Sequence, residues 1–176
     1  MNTYKKIVVL ILLQSIVGYG IAQNCDFSKN ETDKFTKNRV LHTKPVNVIS
    51  KAIKLKDVYK IEKIEIQAKY ENNHYGICVA FHFLGGSNAG AQKLVLLLSN
   101  GSIIEAPSIS ARSLMPRNWL GVICSYDFGI SDDDFKQLLE YDIKDIRMES
   151  MVNPVDFYID SKIKTTGLFN CINNNK

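Results

Sequence analysis

The stretch from Tyr59 to Leu84 restricts the fold more than any other. Ile64, Ile66, Ala68 and Tyr70 alternate with Glu65, Gln67 and Lys69. After a polar break, Tyr75, Ile77, Val79, Phe81 and Phe83 fall on one face. A period of two marks a strand buried on one side. The break itself, Glu71-Asn72-Asn73-His74, is short and polar, so the two runs read as a hairpin. A one-residue slip would expose five large apolar side chains, which specifies the register.

Met1 to Ala22 has the layout of a secretory signal peptide: Lys5 and Lys6, an apolar run from Ile7 to Val17, then Gly20-Ile21-Ala22 with small residues where a signal peptidase inspects. The apolar run is shorter than the ~20 residues of a membrane span. Gln23 and Asn24 before Cys25 argue against a lipidated cysteine. The expected organisation is therefore a signal peptide over 1–22, a polar segment over 23–38, one globular domain over 39–172 and a frayed tail over 173–176. Removing Lys5 and Lys6 changes the net charge from +4 to +4 − 2 = +2. That is close to neutral, and a nucleic-acid or anionic-membrane role would want a larger, clustered excess. Apolar content of 45% and charged content of 23% are those of an ordinary globular domain.

All four cysteines, Cys25, Cys78, Cys124 and Cys171, follow the signal segment. Export permits disulfides, and four cysteines permit three pairings, among which sequence does not choose. The pairing expected here is Cys25 with Cys171, which would close almost the whole exported chain. Cys78 and Cys124 lie in strand-like stretches and suit buried thiols as well as a second bridge. No CxxC spacing or Cys/His cluster suggests zinc.

Residues 24–36 are polar and are expected to meander; Asn30-Glu31-Thr32 is a glycosylation sequon. Arg39–Leu41 and Val46–Ile49 read as short edge strands around Pro45. After the hairpin comes the glycine loop Gly85–Gly90. Leu94-Val95-Leu96-Leu97-Leu98 then reads as a central strand covered on both faces. Ser99-Asn100-Gly101-Ser102 is a tight turn, and Ile103–Ala106 returns. Pro107–Asn118 reads as the least regular segment. Leu120, Val122, Cys124, Tyr126 and Phe128 share the face of a further strand. Ser131 caps a helix opened by Asp132-Asp133-Asp134, with Phe135, Leu138 and Leu139 as its buried stripe. Ile143–Met148 and Val155–Ile159 read as strands, and a last helix capped by Asp160 or Ser161 carries Leu168, Cys171 and Ile172. The fold class expected is α+β, a mainly antiparallel sheet with one or two helices packed on a face; a β-sandwich with terminal helices is the alternative.

Chemical motifs fail one after another. The glycine loop lacks the lysine of a phosphate loop, because Ala91 follows Gly90, and it ends in Ala89 where a nucleophile elbow needs glycine. His82 and Cys78 share a strand face, yet four residues of strand put them ~13 Å apart, too far to share a metal. His74 belongs to a turn. The acidic run at 132–134 lacks the spacing of a calcium loop. Arg112, Arg117 and Trp119 lie in the irregular segment, and Arg and Trp are enriched at binding hot spots, so this segment is the expected interaction loop.

The chain resembles a loose set of small exported bacterial proteins of unknown function. The resemblance rests on Cys25-Asp26-Phe27-Ser28 and the residues to Lys37, and on the Leu-rich strand with Ser99-Asn100-Gly101. It rests also on Ile130-Ser131-Asp132-Asp133-Asp134-Phe135, on Ile143-Lys144-Asp145-Ile146-Arg147, and on Asn170-Cys171-Ile172. It implies compartment and fold, with the two terminal cysteines as a shared feature; no activity, ligand or catalytic residue comes with it.

The expected function is thus an exported, periplasmic or extracellular, non-enzymatic domain binding an unknown protein or envelope component. The alternatives are a hydrolase using dispersed residues such as His82, Cys78 or Ser87, and a carrier with a small-ligand pocket between sheet and helix. No catalytic, metal or cofactor residue is assigned, no cofactor and no nucleic acid are expected, and no membrane span remains after signal cleavage.

Overall fold

The computed structural model describes residues 25–55, 59–84, 91–114, 121–150 and 154–176. The expected signal segment, the glycine loop with Ser87, and Arg117 and Trp119 lie outside the described residues. In chain order the elements are β1 (Phe27–Thr32), β2 (Arg39–Thr43), β3 (Val46–Asn47), β4 (Ile53–Leu55), β5 (Tyr59–Glu71), β6 (His74–Leu84), β7 (Ala91–Leu98), β8 (Ile103–Leu114), β9 (Gly121–Ile130), α1 (Asp132–Glu140), β10 (Ile143–Ser150), β11 (Val155–Tyr158) and α2 (Thr166–Asn175). Each strand pairing described is antiparallel. The strand order is β1-β2-β5-β6-β9-β8-β7-β10-β11, with β3 and β4 also on β5. The mainly antiparallel sheet expected from the sequence is therefore present, with two short helices.

The β5–β6 hairpin forms as its alternation requires. Ile64, Ile66, Ala68, Ile77, Val79 and Phe81 are fully buried. Asn72 and Asn73 have φ of 51° and 64°, and Glu71 pairs with His74. Two successive left-handed residues make the tight turn whose twist matches that of the strands, and asparagine tolerates that region best among residues with a side chain.

β8 joins the two halves of the sheet. Ile103–Pro107 pairs with β7, whereas Ser108–Leu114 pairs with β9 across a bulge between Ser108 and Ser110. Pro107, which has no N–H to donate, stands where the strand changes partner. The far half folds back over the near one. Phe81 on β6 meets Phe157 on β11 at 5.1 Å between ring centroids, and the Asp160 N–H donates to the Val48 carbonyl at 2.9 Å.

The other end of the same inner face is covered by the helices. Tyr75 stacks on Phe135 at 3.7 Å, and Phe135 meets Phe169 edge-on at 6.1 Å. Ser131 caps α1 as expected, its Oγ accepting from the Asp134 N–H at 3.2 Å. For α2 the expected cap is wrong. The helix starts at Thr166, after Thr165, while Asp160 instead closes a turn by accepting from the Lys162 N–H at 3.0 Å. The Thr165 hydroxyl is buried and accepts from the Ile143 N–H at 2.7 Å. Asp142 supplies the missing cap from outside the helix, accepting from the Thr166 N–H at 3.0 Å. Burial alone would raise the pKa of Asp142, but the Thr166 and Lys164 hydrogen bonds hold it below the usual carboxylate range.

Three further expectations are corrected. The N-terminal meander contains β1, which pairs with β2 and is continued by the Lys44 N–H donating to the Asp26 carbonyl at 2.7 Å. The Leu-rich strand β7 is covered on one face only: Leu94, Leu96 and Leu98 are buried, while Val95 and Leu97 line a shallow outer concavity of about 260 Å³ with Ile103 and Tyr158. Finally, residues 107–114 are strand, not irregular loop. Serines on alternate positions and a proline disguised a strand whose outward face needs no apolar residues. Among the described residues no helix is long and apolar enough to cross a membrane.

Candidate binding trough on the outer sheet face

Because β5, β6, β8 and β9 bury one set of alternate residues, the other set forms the outer face. The register aligns that set in rows. Gln67, Cys78, Asp127 and Ser110 make one row, and Glu65, Ala80, Ser125 and Arg112 the next. Lys69, Gly76 and Gly129 make a third. The two middle strands, β6 and β9, thus carry mainly small side chains, whereas β5 carries Glu65, Gln67 and Lys69 and the far part of β8 carries Arg112 and Ile109 beside the small Ser110. That contrast makes a trough, with floor strands between walls three strand spacings, roughly 14 Å, apart. Lys69 reaches across the floor to Asp127, Nζ to Oδ1 2.6 Å, and divides the trough into two lobes. The lobe toward His42, Gln67 and Ser125 has a volume of about 440 Å³, and the lobe toward Tyr75 and Ile109 about 300 Å³.

Ile109 is the extra residue of the β8 bulge. Its side chain is 70% exposed and lies over Gly129, where an added Cβ would come within 3.2 Å of its Cδ1. Bulges re-aim side chains, and this one turns an isoleucine into the polar face.

The charges are held in place by their neighbours. Asp127 also accepts from the Ser110 hydroxyl at 2.9 Å. Burial works against its ionisation, but Lys69 and Ser110 outweigh it and keep the pKa low. Glu65 contacts His82 at 2.8 Å and pairs with Lys63; these partners likewise overcome burial and lower its pKa. Gln67 donates to the Ser28 hydroxyl at 2.8 Å and the Thr43 carbonyl at 2.7 Å, tying the wall to β1 and β2. His42 meets Glu71. Although that carboxylate favours the imidazolium, burial dominates, Lys69 adds to it, and the pKa of His42 falls below its ordinary value.

These positions settle where several residues singled out in the sequence lie. Cys78 is on the trough floor, and burial, with the Asp127 carboxylate beside it, pushes its thiol up to about 12. At pH 7 only about one such thiol in 10⁵ is ionised, so Cys78 is not poised as a nucleophile. Cys124 faces the core and Ser113 lies 3.8 Å from its sulfur. Cys25 and Cys171 stand at disulfide distance, Cα to Cα 5.4 Å, and are bonded. His82 has Glu65 as partner, and His74 is exposed at the start of β6. Arg112 is exposed on β8, in the wall of the trough. Among the described residues no group of three or more His, Cys, Asp or Glu side chains is placed to hold a metal.

Sequence reasoning missed the trough because it followed the apolar half of each strand. The signal was present in the other half: Gly76, Cys78 and Ala80 on one strand, Ser125 and Gly129 on another. A run of small outward residues on two adjacent strands leaves a furrow. No protein-family model, curated protein or solved structure matches the chain.

Proposed function

We propose that the chain is an exported binding domain, without turnover of its own, and that its ligand or partner seats in the outer trough. The observation that carries this reading is the furrow itself: a floor of small side chains beside charged groups of which Glu65, Lys69, Glu71 and Asp127 are held by neighbours, while Arg112 in the wall has no carboxylate partner among the described residues. Groups already oriented lose little entropy on binding. The protonated Cys78 and the engagement of His82 with Glu65 weigh against a thiol hydrolase. Export is supported by the character of Met1–Ala22 and by the Cys25–Cys171 bond. The contact of Phe135 with Tyr75 and Phe169 supports the α+β class, because the helices complete the core; a β-sandwich with terminal helices is the alternative.

The test uses the mature chain immobilised and exposed to its own envelope extract, beside the variant Ala80→Trp. Ala80 lies on the floor and outside the core, so the indole fills the trough and leaves the melting temperature unchanged. A component retained by the wild type and released by Ala80→Trp supports the reading. Equal retention by both proteins, or none by either, refutes it.

A further inference from the structure

We infer that the trough selects an amphiphilic carboxylate: a small molecule whose carboxylate pairs with Arg112 while a short alkyl or aryl chain lies over Ile109 and Gly129. The inference rests on the trough being the binding surface and adds the chemistry of the ligand.

Charge bookkeeping within the trough leads to this class. Its carboxylates are engaged: Glu65 by His82 and Lys63, Glu71 by His42, and Asp127 by Lys69 and Ser110. Of its lysines, Lys69 is held by Asp127, and Lys29 by Glu31 at 3.1 Å. Arg112 alone among the lysines and arginines lining the trough has no carboxylate partner among the described residues. Its planar fork accepts a carboxylate through two parallel hydrogen bonds. It also lines both lobes, so a ligand held there extends into either.

The lobes differ in a way that sets the rest of the ligand. Toward Gln67 and Ser125 the lining is polar, and Gln67 is already hydrogen-bonded to Ser28 and the Thr43 carbonyl. On the opposite side stands Ile109, turned outward by the bulge and pressed onto Gly129. Gly76, opposite Gly129, leaves that floor without side chains. An uncharged chain laid there covers an isoleucine that is otherwise in water. A cationic head meets carboxylates that already accept hydrogen bonds, from His82 or Lys63, His42, and Lys69 with Ser110, and it is repelled by Arg112. A neutral head leaves the guanidinium unpaired.

The experiment is an NMR titration of the mature protein with butanoate, hexanoate and octanoate, and with hexanol and hexylamine as neutral and cationic controls. Expected are saturable shifts at the Ile109 methyl groups and the Arg112 Nε, and tightening of up to about fourfold per added methylene. Hexanoate is expected to bind at least tenfold more tightly than either control. Arg112→Gln removes that tenfold preference. Ile109→Ala keeps it and flattens the dependence on chain length. Both side chains are exposed, and an unchanged melting temperature confirms that each variant folds. Equal binding of hexanoate and hexanol, tighter binding of hexylamine, or no shift at either residue overturns the inference. If hexanoate fails while Ala80→Trp still releases an envelope component, the anion class falls and the trough reading stands. If both fail, both fall.

Discussion

Removing the bond between Cys25 and Cys171 should cost this protein more stability than most single core substitutions. The two residues are 146 positions apart. In the chain-entropy model a loop of that size restricts the unfolded chain by about 5 kcal/mol. The folded side of the balance should change little. β1 keeps its pairing with β2, Lys44 still bridges to Asp26 at 3.2 Å, and α2 keeps Phe169 and Ile172 in the core. The perturbation is Cys25→Ala, Cys171→Ala and the double variant, compared by urea unfolding without reductant. The midpoint should fall by the equivalent of about 4–5 kcal/mol, which corresponds to roughly 10–20 °C in melting temperature. The slope m should rise, because an uncrosslinked unfolded chain exposes more surface. Since both singles break the same bond, the double variant should lose no more than either single, apart from about 1 kcal/mol for a sulfur removed from buried Cys171. A loss below about 1 kcal/mol, or losses that add, would refute the reasoning.

Phe81, which touches Phe157, Tyr126 and Phe83, links the two halves of the sheet; Phe81→Ala should cost about 3–5 kcal/mol by chemical denaturation, whereas a loss near 1 would mean the halves do not depend on each other. Gly101→Ala tests backbone conformation alone, because Gly101 has φ +89° and nothing within 4 Å of an added Cβ; the expected loss is about 1–2 kcal/mol, and no loss would remove the turn from the account. Stability should decline in two stages as pH falls. His42 has a folded pKa below its ordinary 6.5, so the unfolded chain takes up the proton first and stability drops from about pH 6.5 downward. Glu65, Asp127 and Asp142 have lowered folded values, so their contribution is intact above the unfolded carboxylate range and is lost as pH falls through the folded ones. Melting scans at pH 7.5, 5.5 and 3 check both stages, and His42→Gln should abolish the upper one; an unchanged upper stage in that variant contradicts the assignment.

Legibility in the sequence followed burial. Where one face of a strand is apolar and the other charged, as in Ile64–Tyr70, the pattern declares both the strand and its register. Ser131, the acids after it, and Asn100-Gly101 are equally direct, because capping and turns depend on adjacent residues. β8 beyond Pro107 was not legible. Its residues face water on one side, and its partner β9 lies several residues further along the chain. The start of α2 was missed for a related reason: its cap comes from Asp142, a residue 24 positions away in sequence. The trough depends on the same long-range register. No local pattern says that Gly76 lies beside Gly129, or that Arg112 stands across the floor from Glu65.

The placement of β9 also orders events in time. The β5–β6 and β7–β8 hairpins close through tight turns, on the microsecond scale of isolated hairpins. β9 pairs with β6 across residues 85–120 and with β8 as well. Until it docks, the two hairpins share no strand, so its arrival is the step expected to limit the rate of folding, which refolding kinetics of β9 variants would test. Substitutions at Tyr126, buried in the middle of β9, should therefore slow refolding, while substitutions in β1 or α2 should chiefly hasten unfolding.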